Sequence, residues 1–147
     1  IEMARGLGAA GVVLGVLLAD GNVDVERTRE LVEQARPMEV TFHRAFDELG
    51  DLEAGLEDVI AAGCERLLTS GGAPDVLQGA EELARLVKQA DGRIAIAAGG
   101  GLRLANAREV ARVSGAPQFH GSLMAQEDGP ESLGERVRLV MRLLRGI

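Results

Sequence analysis

Residues 40–46 read Val-Thr-Phe-His-Arg-Ala-Phe, and apolar and polar side chains alternate from Val40 to His43. Alternate residues of a β-strand face opposite sides of the sheet. We therefore expect Val40 and Phe42 to face covering helices, with Thr41 and His43 on the other side. This run is one of five similar short runs that start 28, 26, 28 and 24 residues apart: Val12–Leu18, Val40–Phe46, Arg66–Ser70, Ile94–Gly99 and Gln118–Ser122.

The segments between these runs have apolar residues at helical spacing, as at Leu52, Leu56 and Val59. Regular alternation of strands and helices with short loops predicts an α/β fold with a parallel sheet covered by helices. An open doubly wound sheet and a (β/α)8 barrel both fit this pattern. No Gly-x-Gly-x-x-Gly follows the first run, which favours the barrel.

A complete (β/α)8 barrel needs about 250 residues and eight units. The 147-residue chain has five such runs, and Ile1–Leu7 resembles the end of a helix. We therefore expect a single barrel domain over residues 1–147 that is incomplete at its N-terminal side. Without a neighbour, Val12–Leu18 is an uncharged edge strand, and such edges favour pairing. This predicts either upstream residues or a second chain in a homo-oligomer next to that strand.

Composition excludes several classes of function. The formal net charge is −7, and the chain has three Phe, no Trp and no Tyr, so we expect no nucleic-acid partner. A single cysteine, Cys64, rules out a disulfide framework and a Cys-x-x-Cys site. No apolar run approaches the ~18 residues of a membrane span, so we expect an intracellular soluble protein without a membrane partner.

The candidate catalytic residues lie where strands end, because barrel active sites form at the carboxyl ends of the strands. His43 belongs to the second run, Asp47 directly follows that run, and His120 belongs to the fifth. With no Tyr, and with Lys88 late in a helix, these groups are the candidates for proton transfer. The alternative interpretation makes His43, Arg44 and Asp47 a structural hydrogen-bonded network.

The candidate anion-binding residues follow the same strand ends. Glycine-rich turns before helices let backbone N–H groups approach an anion, and positions 99–101 are such a turn. Arg103 and Asn106 add donors there, and a tight structural turn is the alternative. The predicted ligand-binding set includes residues from four strand ends: Arg44, Ser70, Gly99, Gly100, Gly101, Arg103 and Ser122.

Several motifs together resemble one family, the CutC copper-homeostasis proteins. The most specific is Thr41–Asp47, Thr-Phe-His-Arg-Ala-Phe-Asp. The others, in chain order, are residues 11–17, residues 20–24, Leu68-Thr69-Ser70-Gly71 and the loop 99–102 with Asn106. The resemblance runs from about Leu7 to Ser122 and implies strands four to eight of a cytoplasmic (β/α)8-type barrel.

The resemblance implies copper-ion binding and copper handling as the function, with His43 and His120 as the metal-ligand candidates in this chain. The family's first three strands are absent, together with the cysteines linked to its copper binding. The family often has His-Ser-Ser at its last strand, where this chain has His120-Gly121-Ser122. The alternative is a barrel enzyme, a lyase or isomerase, acting on a small phosphorylated or carboxylated metabolite.

Geometry ranks these two ligands. His43 and His120 are expected on the fifth and eighth strands of the barrel, three strand steps of ~4.8 Å apart. Joint ligation of one copper ion requires both nitrogens within ~2 Å of the ion. We therefore expect the site to bind a small anion, held by Arg44 or Arg103 and the glycine loop, more readily than copper through this pair.

Overall fold

The computed structural model of the protein describes residues 1–123 and 132–145. Helices and strands alternate after a short first helix, and a 3₁₀ helix follows the second strand. The elements are α1 (Glu2–Gly6), β1 (Gly11–Leu14), α2 (Val25–Ala35), β2 (Glu39–Phe42), the 3₁₀ helix (Arg44–Glu48), α3 (Leu52–Ala62), β3 (Arg66–Thr69), α4 (Ala80–Ala90), β4 (Ala95–Gly99), α5 (Leu104–Ser114), β5 (Gln118–His120) and α6 (Leu133–Arg145).

The five strands form one sheet in the order β1-β2-β3-β4-β5, and every neighbouring pair is parallel. The strand order follows the chain order, as in a barrel wall built from successive right-handed β/α units. This confirms the predicted α/β class and the adjacency of the five runs. The fold is that of an incomplete (β/α)8 barrel.

Four of the five predicted strand runs end earlier than expected, the third at Thr69 and the fifth at His120. Val12–Leu18 forms a strand only as far as Leu14, since Leu18 N–H then donates to the Asn22 carbonyl and turns the chain (2.8 Å). The second run is a strand only to Phe42. His43 caps the 3₁₀ helix, so Arg44 and Asp47 lie on that helix and not on the strand.

The core lies between the sheet and the helices. Val40 and Phe42 are both fully buried on the helix-facing side of β2, as alternation predicts. Phe46 joins them from the 3₁₀ helix, and Leu56 and Val59 cover them from α3. Burying each such side chain contributes about 1.5–3 kcal/mol, so this layer fixes the position of the 3₁₀ helix relative to the sheet.

The opposite sheet face, here called the inner face, lines a cavity of about 480 Å³ that includes Thr41, Arg66, Gln118 and His120. Arg66 connects three strands across it. Its Nε donates to Gln118 Oε1 (2.5 Å), its Nη1 to Thr41 Oγ1 (3.2 Å) and its Nη2 to Glu39 Oε2 (3.1 Å). Thr41, Gln118 and His120 therefore lie on the inner face, as strand alternation predicts for Thr41.

The loop between β3 and α4 folds back tightly on the end of β3. Gly79 comes so close to Ser70 that an ideal Cβ on Gly79 would lie 1.8 Å from the Ser70 carbonyl oxygen. Its φ of −88° is accessible to any residue, so space and not backbone conformation requires glycine here. The same loop donates from Val76 N–H to the Gly100 carbonyl (2.8 Å), which joins it to the end of β4.

We expect Gly79→Ala to lower the free energy of unfolding by about 1–3 kcal/mol, because the added methyl forces the loop away from Ser70. Gly50→Ala is the matched control, since an ideal Cβ on Gly50 meets no atom within 4 Å. The control is expected to stay within about 0.5 kcal/mol of the wild type. Urea denaturation measures both, and equal stability of the two variants would refute the close packing of Gly79.

Candidate functional site

The Asp47 carboxylate is the centre of the polar network at the carboxyl ends of the strands. Its side chain is only 5% exposed. Arg44 Nε (2.7 Å), Thr69 Oγ1 (2.5 Å), Ser70 N–H (3.0 and 3.1 Å) and Gly72 N–H (3.1 Å) all donate to it. Ser70 Oγ lies 2.9 Å from Asp47 Oδ2 as a further donor. A carboxylate surrounded in this way organises its neighbours.

The hydroxyls of the network each bridge two partners. Thr69 Oγ1 accepts from Gly71 N–H (2.9 Å) while it donates to Asp47. Ser70 Oγ accepts from Arg44 Nη2 (3.0 Å) and lies 2.6 Å from the Ala73 carbonyl, which competes with Asp47 for its single proton. Both residues are fully buried, so they hold the Asp47 carboxylate in place and are not exposed to a ligand.

Arg44 is the exposed part of this network. Its side chain is 41% exposed, and its Nε and Nη2 are held by Asp47 and Ser70. The guanidinium lies against the backbone of Gly100, since an ideal Cβ on Gly100 would be 2.9 Å from Cζ and 3.0 Å from Nη1. The φ of Gly100 is +107°, so both space and conformation favour glycine here.

The glycine loop that we predicted to bind an anion has an acidic neighbour. An ideal Cβ on Gly101 would lie 2.5 Å from Asp75 Oδ2, and Asp75 Oδ1 accepts from Leu77 N–H. The side-chain amide of Asn106 forms hydrogen bonds within the same loop. Its Oδ1 accepts from Arg103 N–H, and its Nδ2 donates to the Gly101 carbonyl. The negative charge of Asp75 disfavours an anion directly at Gly101, which shifts the better position towards Arg44.

His43 lies at the junction of β2 and the 3₁₀ helix. Its backbone N–H donates to the Leu14 carbonyl (2.8 Å), and its Nδ1 accepts from Ala45 N–H (3.1 Å). The imidazole covers the Cα of Gly15, where an ideal Cβ would lie 2.5 Å from both Cε1 and Nδ1. The ring is therefore fixed at the carboxyl end of β1 and β2.

The remaining predicted residues lie at neighbouring strand ends. His120 is exposed at the end of β5, lines the inner-face cavity and lies beside Gly99. Arg103 and Ser122 are exposed, and their side chains make no hydrogen bond to other described residues. The structure thus unites Arg44, Asp47 and Ser70, places Gly100 against them, and shows no hydrogen bond joining His43 to His120.

Comparison with known proteins decides the family. The sequence model of the CutC family matches residues 1–125. A curated family protein CutC from Chromobacterium violaceum is 54% identical over 126 residues, covering 86% of this chain and 51% of that protein. The corresponding protein from Vibrio cholerae is 48% identical over 122 residues, covering 82% and 48%.

The chain belongs to the CutC family. It spans about half the length of the curated relatives it matches.

One solved structure agrees with the CutC assignment, and a second shares the fold. The putative copper homeostasis protein CutC from Streptococcus agalactiae matches with a TM-score of 0.76 and 27% identity, over 82% of this chain and 60% of that one. A second structure, described as native KDPGal, matches with a TM-score of 0.62 at 16% identity, over 99% and 74% of the two chains. The second likeness shows the fold alone.

The described residues of types that ligate metal ions are dispersed over this part of the CutC fold. Residues 1–123 and 132–145 contain no group of three or more His, Cys, Asp or Glu side chains able to hold a metal ion. The Cys64 thiol is buried, and its burial, together with the charge of Glu65, raises its pKa to about 12. Cys64 is therefore a protonated thiol at neutral pH, and metal binding requires the thiolate.

Sequence reasoning missed three residues of the site. Gly15 lies against the His43 ring, and Asp75 lies against Gly101. Arg66 connects β3 to side chains of β2 and β5 on the inner face. Gly15 interrupts an apolar run, which is a recognised sign of a close backbone approach in a strand. Asp75 and Arg66 gave no comparable signal, because an acidic loop residue and a charged first strand residue are common in any α/β protein.

We expect Asp47→Asn to lower the free energy of unfolding by about 2–4 kcal/mol, because the new NH₂ group faces donors and leaves Arg44 without its counter-charge. Asp51→Asn is the matched control. Asp51 caps α3 by accepting from Ala54 N–H (3.0 Å), and Asn caps helices as well as Asp does. Denaturant titration distinguishes them, and equal losses would show that Asp47 is not the centre of the network.

Proposed function

We propose that the carboxyl-end site of this CutC-family chain binds a small oxyanion, a carboxylate or a phosphate. The observation that carries the proposal is the Arg44 guanidinium, which Asp47 and Ser70 hold in place while 41% of the side chain stays exposed. A fixed, exposed guanidinium at the carboxyl ends of parallel strands is well suited to an anionic ligand.

The hydrogen-bonding capacity of Arg44 supports this. A guanidinium has five N–H donors in a planar fork, and contacts to Asp47 and Ser70 use two of them. Three donors remain for a ligand oxygen, and charge-assisted hydrogen bonds from arginine to carboxylate or phosphate are among the strongest in proteins. Gly100 covers one face of the guanidinium, so a ligand approaches from the other face or from the edge.

The neighbouring strand ends complete the proposed site. Arg103 and Ser122 add an exposed cation and an exposed hydroxyl, and Gly99–Gly101 keeps the surface free of side chains. Asp75 excludes the anion from the far side of the loop by its charge. Such a site suits an enzyme acting on a small phosphorylated or carboxylated metabolite, with residues 1–147 as one barrel domain.

A role in copper homeostasis is the second candidate, and the family assignment favours it. The solved CutC from Streptococcus agalactiae is described as a putative copper homeostasis protein. For this chain we propose that copper handling, if it uses the described residues, passes through exposed His120 and not through joint ligation with His43. The family resemblance also underlies the proposed cytoplasmic location; no helix among the described residues is long and apolar enough to cross a membrane.

The sheet edge supports the proposed homo-oligomer. β1 pairs with β2 on one side only within the described residues, and Val13 on its inner face is 64% exposed. An uncharged strand edge with an exposed apolar side chain favours coverage by another chain segment. A second copy of the chain provides one such segment.

Isothermal titration calorimetry with phosphate tests the proposed anion site. We expect Arg44→Lys to weaken phosphate binding about tenfold, because lysine keeps the charge but loses the planar fork. Arg108→Lys is the matched control, since Arg108 is exposed on α5 away from the site. Unchanged affinity in Arg44→Lys would remove Arg44 as the anion anchor.

The same titrations with copper rank the two ligands. We expect His43→Ala to leave any copper affinity within threefold of the wild type and only His120→Ala to lower it, because the two rings do not form one site. If both variants abolish tight copper binding and leave phosphate binding unchanged, copper is the ligand of this site and the ranking is wrong.

A further inference from the structure

The hydrogen bond at His43 Nδ1 determines where the imidazole carries its proton. Nδ1 accepts from Ala45 N–H at 3.1 Å, and a nitrogen that accepts a hydrogen bond has its lone pair there and no proton. A neutral imidazole has one N–H, so that proton is on Nε2. The backbone of the 3₁₀ helix thus selects one tautomer of His43.

The ring is held in this orientation by Gly15. An ideal Cβ on Gly15 would lie 2.5 Å from Cε1 and Nδ1 and 3.3 Å from Cγ of His43. Nine other glycines in the described part of the chain have a positive φ, but Gly15 does not. Position 15 therefore requires glycine because a side chain has no space there. Any larger residue at position 15 displaces the imidazole.

The Nε2 atom remains available to a ligand. His43 is half-buried, and no described residue forms a hydrogen bond with Nε2. The next residue along the chain is Arg44, the proposed anion anchor. Both residues follow the carboxyl end of β2, with the imidazole against Gly15 after β1 and the guanidinium against Gly100 after β4. Both are hydrogen-bond donors, and a ligand that satisfies both must supply oxygen acceptors.

We propose that His43 acts as a hydrogen-bond donor of fixed tautomer, presenting Nε2–H to an oxygen of the bound anion, and that Gly15 is the positioning residue for its ring. This inference rests on the proposed anion-binding function. It assigns His43 a role different from the two that sequence suggested. A general base and a copper ligand both need a lone pair on Nε2, and this tautomer has a proton there.

The tautomer is measured by ¹⁵N NMR of the histidine rings in the ligand-free protein. The chain has two histidines, so His120→Gln assigns the His43 signals. The expected result at pH 7.5 is Nδ1 in the range of an unprotonated nitrogen and Nε2 in the range of a protonated one. A protonated Nδ1, or two nitrogens at intermediate averaged shifts, overturns the inference whether or not the protein binds an anion.

Phosphate titration of the same sample tests the donor role. The expected result is a shift of the His43 Nε2–H signal that follows the calorimetric binding curve. Calorimetric binding with no change at His43 overturns the donor role and leaves the proposed function intact. Absence of phosphate and acetate binding overturns the proposed function and the donor role together. The tautomer of His43 is still determined, because it is measured in the ligand-free protein.

Gly15→Ala tests the positioning role without removing the imidazole. We expect about fivefold weaker phosphate binding, the loss of one ordinary hydrogen bond, together with altered His43 nitrogen shifts. Gly50→Ala adds the same methyl in open space and is expected to bind phosphate like the wild type. Wild-type His43 shifts in folded Gly15→Ala overturn the positioning role. If that variant does not fold, His43→Ala replaces it; this variant removes the Nε2–H donor and is expected to bind phosphate about fivefold more weakly.

Discussion

The Asp47 carboxylate, buried and hydrogen-bonded to Arg44, Thr69, Ser70 and Gly72, is the constraint on which the site depends. A buried carboxylate is stable only when its oxygens are satisfied. Satisfying Asp47 joins the 3₁₀ helix after β2 to the end of β3 and to the first part of the following loop. The exposed guanidinium of Arg44 is fixed as a consequence of that arrangement.

The fold could be predicted from the sequence because it depends on short-range pattern. Alternation at Val40–Phe42 and the regular recurrence of apolar runs are enough to predict parallel strands covered by helices, and the five strands do lie in chain order. Strand ends were less predictable. His43 follows the alternating pattern but caps a 3₁₀ helix, and a side chain that bonds to the backbone ahead of it leaves no trace in hydrophobic periodicity.

The candidate site was predictable in part for a similar reason. Arg44, Asp47 and Ser70 lie at the ends of neighbouring parallel strands, and that topology places them together. The partners of the glycines were not predictable, because they depend on distances between loops that are far apart in sequence. Asp75 beside Gly101 and the imidazole over Gly15 are contacts of this kind. They shift the proposed anion position and the proposed role of His43.

Membership of the CutC family and an anion-binding site are compatible. The family assignment rests on the match over residues 1–125 and on relatives of which this chain spans about half. The proposed ligand preference rests on local chemistry: a guanidinium with free donors and the proposed Nε2–H of His43, which both favour oxygen acceptors. The Cys64 thiol is buried, and burial disfavours the thiolate that a soft metal ion needs.

The most direct test is a pair of crystal structures. One contains selenate, a tetrahedral oxyanion whose selenium is located by anomalous scattering. The other contains copper, with diffraction data collected at the copper absorption edge. The account predicts a selenium peak with oxygens within about 3 Å of the Arg44 guanidinium and no copper peak shared by His43 and His120. A copper peak bonded to both histidines, with no selenium near Arg44, would contradict it.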